Sequence, residues 1–538
     1  MDGSIIVNRP ISWWHIKKGG GYSLESRLVL KQHNIINMKK TVVFFVFLTI
    51  SLSLWAQTQL NLDVVVNKGT TSIANLSPGD ATITDVYYVP KSSSSSINSY
   101  YIEGKQNGKD FKIVCSQLTS RYNMEPKRAS LQDYWDVRNL MSLPSLSRLS
   151  DLYTIRTNME EDAMSYISSL REYGLLFDDP YLESYLYSII SKLAPQHRVD
   201  GFPFNLSLAI VRDDSMNACV FPNGTILINT GLLANIHTED ELVAVLAHEI
   251  GHFASNHALV NLQKAIQRKQ RAEVIAGIAT AMAATVEIAS ARNGYYADGS
   301  LTFGTAILST AIAAEVASNM GLKFNREQEE DADEMAVRAL DLLGYDKNAC
   351  STLFARMTEV YNEEGNWAAY YIAEDHPSLK DRIEKCGTPN LSRNKEFEKK
   401  VSFAVTNAAI TKYNIGRFSQ ALKFVNQNIE NQVATDDDYL LKACCLLNLK
   451  DNPSSNLEAL NLVRMAKEIN PKNVNIIKTE ILASIRNGLL PEAQSLLSEY
   501  MTDLDNTINS IDVDSSQRGY FEAEYDWARK MKVKIQAF

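Results

Sequence analysis

Apolar and polar positions alternate with a period of two in LNLDVVVN (60–67), ATITDVYYV (81–89) and SYYIEGKQNGKDFKIV (99–114). Such alternation predicts half-buried β-strands, and Asn107-Gly108 in the third stretch supplies the tight turn of a hairpin. The run of serines at 92–96 reads as a loop, so residues 57–130 are expected to form a small β-rich module. From about Pro144 the apolar period lengthens to that of a helix, most clearly in PYLESYLYSIISKLA (180–194). NACVFPNGTILINTGLL (217–233) then reads as a strand, a Pro-Asn-Gly turn and a second strand. A helix follows, opened by a capping box of Thr238 and Glu241, with Leu242, Val243, Val245, Leu246 and Ile250 on its apolar side. From about residue 396 the chain reads as consecutive helices joined by short turns. The predicted class is α+β, mainly helical.

Two alanine-rich stretches lie between, AEVIAGIATAMAATVEIASA (272–291) and GTAILSTAIAAEVASNMG (304–321). Each carries a glutamate, Glu287 and Glu315, and little bulk, so burial against neighbouring helices is expected rather than a membrane span. Peripheral contact with a membrane surface is the alternative. Near the N-terminus, MKKTVVFFVFLTISLSLWAQ (38–57) has two lysines, an apolar core from Thr41 to Trp55 and the small residue Ala56. This is the pattern of a secretory signal peptide, cleaved after Ala56 and implying a periplasmic location. An uncleaved anchor is the alternative. Translation is then expected to start at Met38, with 1–37 an upstream extension.

Composition adds limits. The chain has 538 residues, enough for several domains, and a formal charge of -9, which argues against nucleic acid or an anionic lipid surface as a general partner. Cys115, Cys219, Cys350, Cys386 and the adjacent Cys444 and Cys445 show no metal-site spacing and read as small core residues.

The chemistry is concentrated in LVAVLAHEIGHFASNH (242–257). His248 and His252 are four residues apart and share one helical face, where two imidazoles can hold one metal ion. Glu249 follows the first histidine and can project toward a metal-bound water as general base, the H-E-x-x-H arrangement of zincins. With 8 histidines in the chain, a chance match somewhere has odds of about one in a hundred. A third ligand is required. KFNREQEEDADEMA (323–336) offers two pairs with the spacing of a glutamate ligand and an aspartate one turn later, Glu327 with Asp331 and Glu329 with Asp333. Spacing does not choose between them.

The segment NREQEEDADEMA resembles the R-E-x-E-x-x-A-D stretch of the metallopeptidase family that includes the CAAX prenyl protease and HtpX. That resemblance implies Glu329 as third ligand of a single Zn²⁺ and Asp333 as the residue that hydrogen-bonds a ligand histidine; Ala336 stands where the family usually has Gly. NACVFPNGTILINTGLL is similar to another segment of the same family, and it implies that Ala218, Cys219, Val220 and Phe221 form the edge to which substrate backbone binds. EDHPSLKDRI (374–383) resembles the family's H-P-x-x-x-x-R-I, placing His376 over the active site, where it would assist the reaction or occupy the open metal position. The peptidase region is expected over 131–392. Residues 393–538 resemble tetratricopeptide-like repeats, with Ala421-Leu422 and Ala459-Leu460 at packing positions. A signal peptide, a zincin and C-terminal repeats together are similar to periplasmic members of this family. That resemblance implies a zinc endopeptidase acting on unfolded or misassembled envelope proteins, with outer-membrane assembly machinery as a partner through the repeats. The alternative is a chaperone or assembly factor whose peptidase domain is latent.

Overall fold

A computed structural model describes residues 60–67, 76–89, 99–115, 124–146, 152–194, 206–267, 324–364, 378–449, 451–509 and 515–536. The signal-peptide region, both alanine-rich stretches and His376 lie outside the described residues. Two compact units are distinguished.

The first holds five strands, β1 (Leu62–Val66), β2 (Gly79–Val89), β3 (Ser99–Gln106), β4 (Lys109–Val114) and β5 (Met124–Pro126), in the antiparallel order β4-β3-β2-β1-β5. Leu62, Val64 and Val66 alternate inward as predicted. In β2 the phase shifts: Ala81 and Ile83 point inward, then Val86, because one extra residue is accommodated between Ile83 and Asp85 in the pairing with β3. Asn107 and Gly108 both have positive φ, 51° and 75°, as a two-residue hairpin turn requires. Helix α1 (Leu131–Leu146) packs on β1 and β5, so this unit runs past residue 130.

The second unit begins with α2 (Leu152–Glu172) and α3 (Pro180–Leu193), the latter capped by Asp179, whose carboxylate accepts the amides of Tyr181 and Leu182. Strands β6 (Ser207–Val211), β7 (Ala218–Val220) and β8 (Thr225–Asn229) form a small sheet in the order β6-β8-β7. β8 runs parallel to β6 and antiparallel to β7, leaving β7 at an edge. Short helix α4 (Thr230–Asn235) leads to α5 (Glu239–Ala254) and α6 (His257–Gln267). The predicted capping box at the start of α5 is half formed: Thr238 Oγ1 accepts the Glu241 amide at 3.2 Å. The Glu241 carboxylate is buried instead against Arg356 at 2.9 Å and accepts the His237 amide. A partner from elsewhere in the fold has captured the side chain that local spacing assigned to the cap.

Helix α7 (Arg326–Leu343) crosses α5, and α8 (Ala349–Glu364) and α9 (Leu379–Cys386) complete the layer around them. α7 does have a full capping box, between Asn325 and Gln328. After α10 (Lys395–Lys400) come α11 (Ser402–Asn414), α12 (Phe418–Glu430), α13 (Asp436–Leu449), α14 (Pro453–Ile469), α15 (Val474–Arg486), α16 (Leu490–Ile508) and α17 (Ser515–Gln536). Each of α11–α17 packs on the next, with fully buried Ala421, Ala443, Ala459, Ala483 and Ala493 at the contacts. α11 also packs on α4, and buried Lys412 reaches Asp214 at 2.7 Å, so the helical array and the peptidase layer share a core. Among the described residues no helix is long and apolar enough to cross a membrane.

Candidate metal centre

The centre is made by two helices that can approach closely. Gly251 on α5 faces Ala332 and Met335 on α7, and a Cβ there would lie 3.0 Å from the end of the Met335 side chain and 3.6 Å from Ala332 Cα. A glycine opposite an alanine lets the backbones close. Glu329 and Asp333, on the buried face of α7, thereby come level with His248 and His252.

The two Nε2 atoms of His248 and His252 are 3.1 Å apart. Glu329 places Oε2 3.6 Å from His248 Nε2 and Oε1 3.6 Å from His252 Nε2. Ligand atoms around a tetrahedral zinc with bonds near 2.0–2.1 Å are separated by about 3.3 Å, so the donor set fits a single such ion. Among the described residues this is the one group of three with metal-ligand geometry. Glu327, the other spacing-compatible glutamate, is exposed in the first turn of α7.

Around these three, Asp333 Oδ1 lies 3.0 Å from His248 Nδ1. Burial works against its ionisation, yet His248 and Arg382 together hold its carboxyl below the usual range. Burial likewise disfavours the His248 cation, but Asp333 and Glu329 outweigh it and raise the imidazole's pKa. Arg382, from α9, grips Asp333 with Nε at 2.8 Å and Nη2 at 2.6 Å, and puts Nη1 3.4 Å from Glu329. Its guanidinium stacks over Phe354 at 3.9 Å. Two buried carboxylates a turn apart thus share one cation. The sequence shows Arg382 only as part of EDHPSLKDRI, and its bidentate contact with a carboxylate 49 positions away arises only when α9 packs against α7.

Glu249 is half-buried. Desolvation, reinforced by Glu329 and opposed by His248, raises its carboxyl to about 7, and the backbone N–H of Val220 donates to it. Strand β7 therefore turns its unpaired edge toward Glu249. Ala218 and Cys219 are half-buried, Val220 and Phe221 buried. Beside them an apolar recess lined by Phe221, Phe253, Leu259 and Phe324 opens next to His252.

His257 was also passed over. Its Nδ1 is 2.8 Å from His252 Nδ1 and its Nε2 3.4 Å from Asp331. Phe324 stacks on the His252 ring, with centroids 3.8 Å apart.

A helix presenting H-E-x-x-H, a glutamate from the next helix and an edge strand alongside define a metallopeptidase domain of the zincin class. Residues 180–389 match the model of Peptidase family M48. It is 24% identical over 219 residues to a putative beta-barrel assembly-enhancing protease of Vibrio cholerae, covering 41% of each chain. It is 25% identical to the beta-barrel assembly-enhancing protease of Escherichia coli K12, over 36% of each. To the mitochondrial metalloendopeptidase OMA1 of Schizosaccharomyces pombe it is 28% identical over 42% of this chain and 58% of that one. The match thus spans about two fifths of the length of the bacterial relatives.

Proposed function

We propose that this protein is a zinc-dependent endopeptidase that hydrolyses peptide bonds in unfolded or misassembled proteins of the cell envelope. The observation that carries the reading is the convergence of His248, His252 and Glu329 beside a carboxyl held near neutrality on Glu249. When bound, the zinc would lower the pKa of a water to about 7 and polarise the substrate carbonyl. His248, His252 and Glu329 hold it. Glu249 takes the proton from the attacking water and passes it to the leaving amine, a task suited to a carboxyl whose pKa lies close to the working pH. Asp333, itself fixed by Arg382, lies 3.0 Å from His248 Nδ1 and would hold that ring with Nε2 available to the metal.

Substrate enters as an extended strand along Ala218–Phe221, on the side of β7 away from β8. That demands unfolded chain, since the backbone donors of a folded protein are already paired. An apolar side chain beside the scissile bond fits the recess at Phe253 and Leu259. The hairpins α11–α12, α13–α14 and α15–α16, with Gly416 and Gly488 in positive φ at equivalent turns, support tetratricopeptide-like stacking and a surface for envelope partners.

The test is cleavage of casein by the protein from residue 57 onward, with Glu249→Gln and a zinc chelator alongside. Cleavage lost in both controls supports the reading; zinc that stays bound in Glu249→Gln assigns the loss to the base. Cleavage unaffected by either would refute it. An inert wild type that retains zinc would favour a latent domain with a client-binding role.

A further inference from the structure

From the geometry we infer that His257 and Asp331 are positioning residues for the second zinc ligand, forming an outer chain to His252 that parallels the Asp333 chain to His248. The inference rests on the zinc reading above. Its observations are separate from that reading. His252 Nδ1 meets His257 Nδ1 at 2.8 Å, both rings being buried, and His257 Nε2 faces Asp331 Oδ2 at 3.4 Å. Two ring nitrogens at that distance share a proton, so one donates and the other accepts.

The chemistry of the ligand decides which. A histidine that offers Nε2 to a cation as neutral imidazole carries its proton on Nδ1. His252 therefore donates, His257 accepts on Nδ1, and His257 carries its own proton on Nε2, where Asp331 stands to receive it. Every proton in the chain has one consistent place. Two independent contacts fix the relay at its far end: Gln328 Nε2 donates to the His257 carbonyl at 3.3 Å, and Ser255 Oγ donates to Asp331 at 3.2 Å. Asn256, with φ of 51°, makes the turn that swings His257 off the end of α5 and back against His252. A non-glycine residue in the left-handed region is held there by its surroundings. On the fourth side, Phe324 closes the face of the His252 ring.

This gives the other aspartate of the acidic run a task. Asp331 and Asp333 serve one ligand histidine each, Asp333 directly and Asp331 through an imidazole.

The test is zinc affinity, measured on the full metal-free chain by competition with a chromophoric chelator. Wild type, Glu329→Ala, His257→Phe, His257→Asn and Asp331→Asn are compared, and circular dichroism checks that each is folded. Outer partners of ligand histidines are worth roughly 10- to 100-fold in metal affinity, and His257→Phe, which keeps the bulk and removes the acceptor, should lose that much. His257→Asn puts an amide oxygen near the Nδ1 position and should recover most of the affinity, a rescue that packing alone does not predict. Asp331→Asn should weaken binding less, and it carries the test should His257→Phe not fold. Nitrogen NMR of the zinc-bound protein should find the His257 ring protonated on Nε2. Tight zinc in His257→Phe and Asp331→Asn, equal weakness of the Phe and Asn variants, or a proton on Nδ1 of His257 would each overturn the inference. Wild type that binds no zinc overturns the metallopeptidase reading itself, and this inference falls with it; the Glu329→Ala control separates the two.

Discussion

Arg382 shows how much of the centre depends on a residue that offers nothing to a metal. It lies between Asp333 and Glu329 and is the cation that both carboxylates share. Replacing it with Leu leaves two buried carboxylates without their counter-charge, and breaking a buried pair in this way costs about 3–5 kcal/mol. Arg382→Leu should therefore lower the urea midpoint and weaken zinc binding together. Arg382→Lys should restore little, because an ammonium cannot span Asp333 in two places and reach Glu329 as well. Full recovery in the lysine variant would contradict this account. That His248 and His252 share one face was legible in the chain because i, i+4 spacing on a helix is a local property. Arg382 and His257 were not, since their meaning depends on contacts made across the fold or around a turn.

At the scale of elements, the centre exists because two helices pack at a small residue. Gly251→Ala should be absorbed by a small shift of the Met335 terminal methyl. Gly251→Leu should not: overpacking of this kind costs typically about 1–3 kcal/mol, and it would push α7 outward and carry Glu329 with it. The expected result is a folded protein with zinc affinity reduced more than stability, read by calorimetry and chelator competition; unchanged zinc affinity in the leucine variant would show that α7 can slide without moving its ligand. Helix and strand periodicity disclosed these elements, including the β hairpin at Asn107-Gly108 and the strand-turn-strand before α5. What periodicity could not disclose was partner choice. Glu241 spaces correctly for a capping box, yet the buried Arg356 on α8 takes its carboxylate, and the extra residue after Ile83 in β2 leaves no mark in the alternation that precedes it.

For the molecule as a whole, the contacts at the start of the helical array matter most. Glu398, buried in α10, accepts from Nδ1 of His237 at 2.7 Å, from Arg393 at 2.6 Å and from Asn431 at 2.7 Å. Burial alone would raise its carboxyl, but these donors prevail and hold it at about 2, against 4.5 unperturbed. A carboxyl depressed on folding stabilises above its unfolded pKa and loses that contribution as pH falls through the folded value. The stability gap between wild type and Glu398→Gln should then be full at pH 7 and shrink between about pH 4.5 and pH 2; urea titrations at a series of pH values would show it, and a gap independent of pH would refute the assignment. Lys412, 2% exposed, makes the second tie, to Asp214 in the loop that leads into β7. That tie constrains how such proteins can be recombined. A splice point at residue 393, where the change in sequence character falls, would replace both α10 and α11 and strand Asp214 beside whatever replaces Lys412. A chimera cut after Asn414 keeps α10 and α11 with the peptidase and leaves only the later helices to be exchanged, so the portable part of the array begins two helices later than the change in sequence character suggests.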